Sequence, residues 1–255
     1  NALLTYGMET SFFRFFSKEK KKGNVISTSF LSLLFTTLIF LILTLLYSNE
    51  LAMFFGFETA LFFKLLVLTI TLDTLVVIPY AYLRVINKPL KFTLFKVLNI
   101  LIFNLLNVFF LWFVPYAIKH QIGLPNFILD YYNTNPKVMH IFVAGTVASA
   151  VTFLLLFPII FKFKLSFDIQ LLKRMLKYGL PIMVGSIAFV TNENLDKLLL
   201  GNLIGKEQMG IYAACYKLGV FMMLYIMAFR LGAEPFFFNH ADKKNAKETY
   251  AKILT

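Results

Sequence analysis

Several charged side chains lie inside long apolar stretches of this sequence, where a charge normally faces a partner or a water-filled cavity. Three of them are basic and could bind a phosphate group through charge-assisted hydrogen bonds, namely Arg14, Lys217 and Arg230. Arg14 and Arg230 lie near the ends of their segments, so they could instead extend to lipid headgroups, and Arg230 could pair with Glu234. Lys217 lies deeper, so we expect it to face a hydrated cavity.

A second group of charges includes acids that could bind a coupling ion. Asp73 lies about 13 residues into its segment, which is roughly 20 Å of helix. Its side chain could hold a proton or an ion, or make a hydrogen bond between helices. Glu193 and Lys197 are four residues apart and can pair on one helix face. A short turn around residues 205–208 would join the two helices as an antiparallel hairpin, so we expect Glu193 and Lys217 to line one cavity, where they could form an ion pair. Asp196 and Lys197 could also reach the outer face of the membrane.

The elements that position these residues must be membrane helices, because the composition is too apolar for a soluble chain. The hydrophobic fraction is 59% and the mean hydropathy is +0.74, against about 45–50% apolar residues in soluble domains. A sphere of 255 residues cannot bury this much apolar surface, so lipid must cover the rest. The sequence therefore predicts an all-α, polytopic transmembrane bundle.

Seven segments approach the roughly 20 apolar residues that a membrane helix needs. Both ends of the chain fall at partial apolar stretches, so we expect at least one helix upstream and several downstream. The predicted segments are Asn1–Phe16, Val25–Tyr47, Ala60–Leu83, Phe92–Val114, Val138–Phe161, Tyr178–Leu203 and Gln208–Leu231.

The basic residues divide unevenly between the two sides of the predicted membrane. Of the 25 Lys and Arg residues, 17 lie in one set of alternate connections and three in the other. Membrane proteins concentrate Lys and Arg in cytoplasmic loops. We therefore expect residue 1 near the outer face and residue 255 in the cytoplasm. The net charge of +12 follows this topology, and no nucleic-acid partner is indicated.

No signature of catalysis or metal binding stands out. His120, His140 and His240 are isolated, Cys215 is a lone cysteine, and no Gly-rich phosphate loop or nucleophile motif occurs. We therefore expect no cofactor, no metal and no enzymatic activity. The stretch Lys162–Lys177 is expected to be a cytoplasmic linker between two bundles, or an amphipathic helix on the membrane surface.

Short sequence blocks carry a family resemblance. In their order they resemble the bacterial polysaccharide flippases (O-antigen or Wzx-type) of the multidrug/oligosaccharidyl-lipid/polysaccharide exporter superfamily. The block from Tyr178 to Phe236 is the more specific part. The matching blocks are Tyr6–Thr10, Phe13–Phe15, Ile78–Arg84, Tyr178–Pro181, Asn194–Gly201, Met209–Leu218, Ala228–Arg230 and Ala233–Phe236.

The resemblance implies a transporter of 12 to 14 helices in two bundles, of which this chain would cover helices two to eight. Residues 1–161 would form the N-terminal bundle without its first helix. Residues 162–177 would link the bundles in the cytoplasm, and residues 178–255 would begin the second bundle. The protein would lie in the bacterial cytoplasmic membrane.

The resemblance also implies a function. Such a flippase moves a polyprenyl-diphosphate-linked oligosaccharide across the membrane by alternating access, for O-antigen, lipopolysaccharide or other surface polysaccharides. Arg14, Lys217 and Arg230 match basic positions of the family and become candidate diphosphate contacts, and Asp196 with Lys197 matches a polar pair. Partners would be membrane lipid, the lipid-linked oligosaccharide and other polysaccharide-assembly membrane proteins. The alternatives are a cation-coupled multidrug or metabolite exporter, and a membrane-embedded glycan polymerase or ligase.

Overall fold

The structure is a computed structural model that describes residues 2–57, 59–86, 88–134, 136–160 and 162–240. Throughout these ranges the regular elements are helices, which confirms the predicted all-α class. The chain forms two structural units, an N-terminal unit, Asn1–Ile187, and a C-terminal unit, Ala188–Thr255. The predicted division into bundles at 1–161 and 178–255 stays a prediction.

The helices of the N-terminal unit follow one another with short connections. Residues Phe109–Phe113 form a π-helical stretch between α7 and α8. The helices are α1 (Ala2–Thr5), α2 (Met8–Lys18), α3 (Lys22–Leu46), α4 (Ser48–Phe54), α5 (Ala60–Leu75), α6 (Val77–Val85), α7 (Pro89–Val108), α8 (Val114–Lys119), α9 (Asn126–Thr134) and α10 (Lys137–Ile160).

Two longer helices complete the described chain. Helix α11 (Ile169–Leu203) runs through the boundary between the units, and α12 (Lys206–His240) lies in the C-terminal unit. Gly205 joins them at φ +95°, a left-handed backbone conformation that glycine adopts without a steric penalty.

Within the described residues, five helical stretches are long and apolar enough to cross a membrane, so the chain is a multi-pass membrane protein. They correspond to the second to fifth and the seventh predicted segments. They are Lys22–Leu46, Ala60–Val85, Pro89–Lys119, Lys137–Ile160 and Glu207–Ile226.

The first and sixth predicted segments are not among these five stretches. The first is not one continuous helix, because Tyr6 and Gly7 both have positive φ and separate α1 from α2. The sixth is helical throughout, but the polar run Asn192–Asn194 lowers its hydropathy.

The N-terminal unit is held together by close helix packing. Helix α10 packs on α5 and α7, α3 packs on α5, and α2 packs on α3 and α6. Phe12, Ile78 and Met175 are fully buried where α2, α6 and the start of α11 meet. Thr69 and Thr146 form a 2.9 Å hydrogen bond between α5 and α10. Such polar contacts hold helices together where lipid replaces water as the solvent.

The segment before α11 is fixed to the start of α3. Ser27 donates a 2.8 Å hydrogen bond to the carbonyl oxygen of Lys164, and Thr28 Oγ1 accepts the N–H of Asp168 at 3.1 Å. Residues 164–168 are not helical, and α11 begins at Ile169. The stretch Lys162–Lys177 is therefore not one amphipathic helix. It is a non-helical segment followed by the first turns of α11.

Candidate functional site

A polar cavity of about 370 Å³ lies within the N-terminal unit, between α2, α5, α6, α7 and α10. It brings together two acids, two bases and several neutral polar groups, inside helices that are otherwise apolar. Its polar and aromatic lining residues are Glu9, Asp73, Tyr80, Arg84, Phe92, Lys96, Asn99 and Thr152.

Asp73 is half-buried on α5 and lines this cavity. Its Oδ1 accepts a 2.7 Å hydrogen bond from Ser149 on α10. Nearby, the Asn99 amide on α7 donates a 2.9 Å hydrogen bond to Thr152. The hydrogen bond between helices that the sequence allowed for Asp73 is therefore present, and its possible role in ion binding stays a prediction.

Arg84 and Glu9 form an ion pair across the same cavity. The guanidinium carbon of Arg84 also lies 4.7 Å from the ring centroid of Phe13 and 5.4 Å from that of Phe92. Contact with aromatic faces stabilises a cation that has lost part of its water. Lys96 makes a similar contact, with Nζ 4.5 Å from the Tyr80 ring centroid.

Sequence reasoning missed most of this cavity. Glu9, Arg84 and Lys96 are not among the site residues expected from the sequence, and they lie on α2, α6 and α7, where they line the cavity. Residue spacing could have revealed part of it. Asp73, Tyr80 and Arg84 are separated by seven and four residues, which places them near one face of a continuous helical path.

Arg14 lies on α2, outside the lining of the polar cavity. It is exposed, and its guanidinium carbon lies 4.1 Å from the ring centroid of Tyr178 on α11. Stacking fixes the plane of the guanidinium and leaves its edge N–H groups available to an anion. Both residues belong to the N-terminal unit.

The C-terminal unit has a second polar cluster, between α11 and α12. The Tyr212 hydroxyl donates a 2.6 Å hydrogen bond to Asp196 Oδ2. Lys197 Nζ lies 3.9 Å from the Tyr216 ring centroid and donates a 3.0 Å hydrogen bond to the carbonyl oxygen of Glu193. Residues of α11 thus contact residues of α12, as the predicted antiparallel hairpin requires.

The part of the chain that holds this cluster matches a known family. Residues 138–254 match the model of a family described as polysaccharide biosynthesis protein. This segment belongs to the polysaccharide biosynthesis protein family. No curated protein and no solved structure matches the chain. The family match includes α10, α11 and α12, and it confirms the predicted family resemblance.

Most of the predicted site residues lie within the polysaccharide biosynthesis segment. Asp196 and Lys197 both have partners there, although Tyr212 and Tyr216 were not predicted as those partners. In the sequence, a tyrosine spacing of four residues places both rings near one face of α12, and this was the available signal.

The expectation that Glu193 and Lys217 line one cavity stays a prediction. Lys217 is exposed, and the described residues show no ion pair between it and Glu193. The Glu193–Lys197 side-chain pair is also not formed, because Lys197 bonds to the backbone oxygen of Glu193. Arg230 lies on α12, but its side chain and that of Glu234 lie outside the described part of the chain.

No metal centre is found among the described residues, because no three His, Cys, Asp or Glu side chains come together. His140 is buried and stacks against aromatic rings, with centroids 5.0 Å from Phe110 and 5.2 Å from Tyr132. Its surroundings are those of a packed core residue.

Proposed function

We propose that this protein is a flippase, which moves a polyprenyl-diphosphate-linked oligosaccharide across the bacterial cytoplasmic membrane for surface polysaccharide biosynthesis. The observation that carries the proposal is the match of residues 138–254 to the polysaccharide biosynthesis family in a chain of membrane-type helices. A biosynthetic protein built in this way must act on a polysaccharide precursor at or across the bilayer.

The physical problem of such a protein is the charge of the precursor. A diphosphate cannot enter hydrocarbon without partners, because the loss of its hydration is not compensated there. Cations fixed within the membrane region offset this cost. Lys217 supports this role, since it is an exposed cation on a helix that is long and apolar enough to span.

Arg14, Lys217 and Arg230 are the proposed diphosphate contacts. Arg14 has a suitable geometry, because its stack on Tyr178 orients the guanidinium without using its edge. An arginine held in this way can bind two phosphate oxygens at once. The polyprenyl tail needs no polar path, since it can stay in lipid while the head group crosses.

Asp73 is the proposed site of ion coupling. It lies in a polar cavity that also contains Glu9, Arg84 and Lys96, so a change in its protonation or ion occupancy alters the charge balance inside the N-terminal unit. In the proposed alternating access of two bundles, an ion that binds one state more tightly than the other shifts the equilibrium toward that state. Glu193, Asp196 and Lys197 are the proposed polar groups on the C-terminal side.

A second candidate function is the export of a cationic drug or metabolite. The cluster of Asp196 with Tyr212 and Tyr216 favours it, since carboxylates and aromatic faces bind cations. Lys197 weighs against this function, because its ammonium group already covers the Tyr216 ring. A glycan polymerase or ligase is the third candidate, and the proposal assigns no enzymatic step to the protein.

Depletion of the complete protein in its native host separates these functions. Lipid-linked oligosaccharides are extracted, and their leaflet is determined with a membrane-impermeant probe. The flippase proposal expects complete head groups to accumulate on the inner leaflet. Unchanged glycan export with increased sensitivity to cationic drugs would support the exporter. Accumulation of short, unpolymerised head groups on the outer leaflet would indicate a polymerase or ligase.

A further inference from the structure

An apolar groove of about 730 Å³ runs along α3 and the first turns of α11 in the N-terminal unit. Its lining is almost wholly aliphatic and aromatic, and Tyr6, Ser32 and Thr36 supply its polar atoms. The apolar lining residues are Leu31, Leu34, Phe35, Leu38, Phe167, Leu172, Leu176 and Leu180.

A basic pocket of about 500 Å³ lies at the end of α2 and the start of α3 and α11. Its two acids both have partners. Glu19 forms a 2.8 Å ion pair with Arg174, and Asp168 accepts the backbone N–H groups of Gln170 and Leu171 at 2.9 and 3.0 Å. Four bases line the pocket against these two acids, which leaves a net charge of +2, and three of the bases are the exposed lysines Lys18, Lys20 and Lys21.

The groove and the pocket share one short segment of the chain. Phe167 and Leu172 line the groove, while Asp168 and Leu171 line the pocket. This segment is held in place, because Ser166 donates a 3.0 Å hydrogen bond to Asn24 Oδ1, in addition to the bonds from α3 described above. The apolar groove and the basic pocket are thereby fixed next to each other.

Along α11, the length of the groove is close to one leaflet of a bilayer. From the start of α11 to Leu180 is 11 residues, or roughly 16 Å of helix. Half of a bilayer core is about 15 Å thick. The basic pocket lies at the end of the groove that the distribution of Lys and Arg predicts to be cytoplasmic, where anionic lipids attract basic residues.

We infer that the groove and the basic pocket together bind one anionic phospholipid of the cytoplasmic leaflet. An acyl chain lies in the groove along Leu172, Leu176 and Leu180. The phosphate of its head group contacts Lys18, Lys20 and Lys21. On α3 the groove reaches Leu38, 16 residues or roughly 24 Å from Lys22, a bounded length that fits an acyl chain better than a much longer polyprenyl chain. The inference rests on the membrane placement of the chain and is independent of the proposed transport activity.

Fluorescence quenching in vesicles tests this site. The complete protein carries Leu176→Trp, and every other tryptophan, including Trp112, is replaced by Phe. It is reconstituted in phosphatidylcholine with either brominated phosphatidylglycerol or brominated phosphatidylcholine at equal mole fraction. Because a basic residue near an anionic surface contributes roughly fivefold to binding, we expect clearly stronger quenching by the anionic lipid.

Two double variants identify the source of the preference. Lys20→Gln/Lys21→Gln removes two charges from the basic pocket, and we expect it to abolish most of the preference for brominated phosphatidylglycerol. Lys88→Gln/Lys91→Gln removes two exposed charges from the same predicted side, outside the pocket. We expect this control to keep the preference.

Several outcomes would overturn the inference. Equal quenching by the two lipids would show a groove without head-group selection. No quenching by either lipid would show that protein covers the groove. An equal loss of preference in both double variants would assign it to overall charge. Displacement of the brominated lipid by polyprenyl diphosphate at equal mole fraction would assign the groove to the lipid carrier. None of these readings depends on transport, so they are distinct from a failure of the flippase proposal.

Discussion

The hydroxyl of Tyr212 lies 2.6 Å from Oδ2 of Asp196 and joins α12 to α11 within the C-terminal unit. One turn further along α12, the Tyr216 ring lies 3.9 Å from Nζ of Lys197. Two adjacent charged residues of α11 are thus each oriented by a tyrosine of α12. These contacts lie in the polysaccharide biosynthesis segment, and they determine which faces of the two helices are turned toward each other.

We expect Tyr212→Phe to lower the thermal stability of the protein in detergent, because it removes the hydrogen bond to Asp196 and leaves the ring in place. Asp196→Asn should lower it by a similar amount, and the double variant should lose less than the sum of the two. Tyr225→Phe is the matched control, since Tyr225 is 79% exposed. Additive losses in the double variant would show that the two side chains do not interact.

The contact between α2 and α11 depends on glycine at two positions. A Cβ on Gly179 would lie 2.7 Å from Ser11 Oγ and 2.9 Å from the carbonyl oxygen of Tyr6. We therefore expect Gly179→Ala to destabilise the fold by about 1–3 kcal/mol, the usual cost of overpacking. Gly7→Ala should be at least as harmful, because Gly7 also has φ +69° and a Cβ there would overlap Gly179.

Gly185→Ala is the control for this contact. It lies on the same helix as Gly179, and a Cβ there meets no atom within 4 Å. Alanine at this position should leave the midpoint of thermal unfolding unchanged or raise it slightly, since glycine inside a helix costs about 0.5–1 kcal/mol. A similar loss in Gly179→Ala and Gly185→Ala would contradict the proposed close packing.

A coupling role for Asp73 predicts a specific defect. Asp73→Asn keeps the size of the side chain and a hydrogen-bond acceptor for Ser149, but it removes the charge. Transport driven by an ion gradient should fall on the order of tenfold, equivalent to about 1.4 kcal/mol. Equilibration of head groups without a gradient should change much less. Asp130→Asn, an exposed site on α9, is the control. Equal loss with and without a gradient would make Asp73 a structural residue.

The ion pair of Glu9 with Arg84 should add little to the stability of the fold, but it should affect transport through the charge of the cavity. The two side chains are 42% and 40% exposed, so breaking the pair should cost about 1 kcal/mol or less in stability. Glu9→Gln leaves Arg84 among Phe13, Phe92 and Lys96 without its carboxylate. We expect a larger loss of transport than of stability, and Glu9→Gln/Arg84→Gln should recover part of it. If the loss of transport is proportional to the loss of stability in all variants, a separate effect of charge is ruled out.

The sequence was sufficient for the helical membrane class and for the hairpin of α11 and α12. Long uncharged stretches define membrane helices, and the short connection at Gly205 allows only an antiparallel return. The direction in which Lys217 points could not be predicted in the same way. Similar depth gives the position along a helix axis but not the rotation about it. Lys217 follows Tyr212 by five residues, so it points about 140° away from the face that contacts Asp196.

The polar cavity of the N-terminal unit was harder to predict for a related reason. Arg84 and Lys96 lie near the ends of apolar stretches, where a basic residue usually marks a loop. Only the packing of α2 against α6 shows that Arg84 meets Glu9. Glu9 itself lies beyond the break at Gly7, in a segment whose apolar pattern suggested one continuous helix. Pairing between distant helices is a tertiary property that a single sequence does not encode locally.

The most direct test of the account is the flipping of a polyprenyl-diphosphate-linked oligosaccharide by the complete protein in proteoliposomes. Head groups that become protected from an external, membrane-impermeant reagent are counted against time. We predict flipping by the wild type and normal flipping in the control Lys137→Ala. Lys217→Ala and Arg14→Ala should each lower the rate of flipping by roughly tenfold or more, because each removes about one charge-assisted hydrogen bond. No flipping by the wild type, or equal rates in all four proteins, would contradict the account.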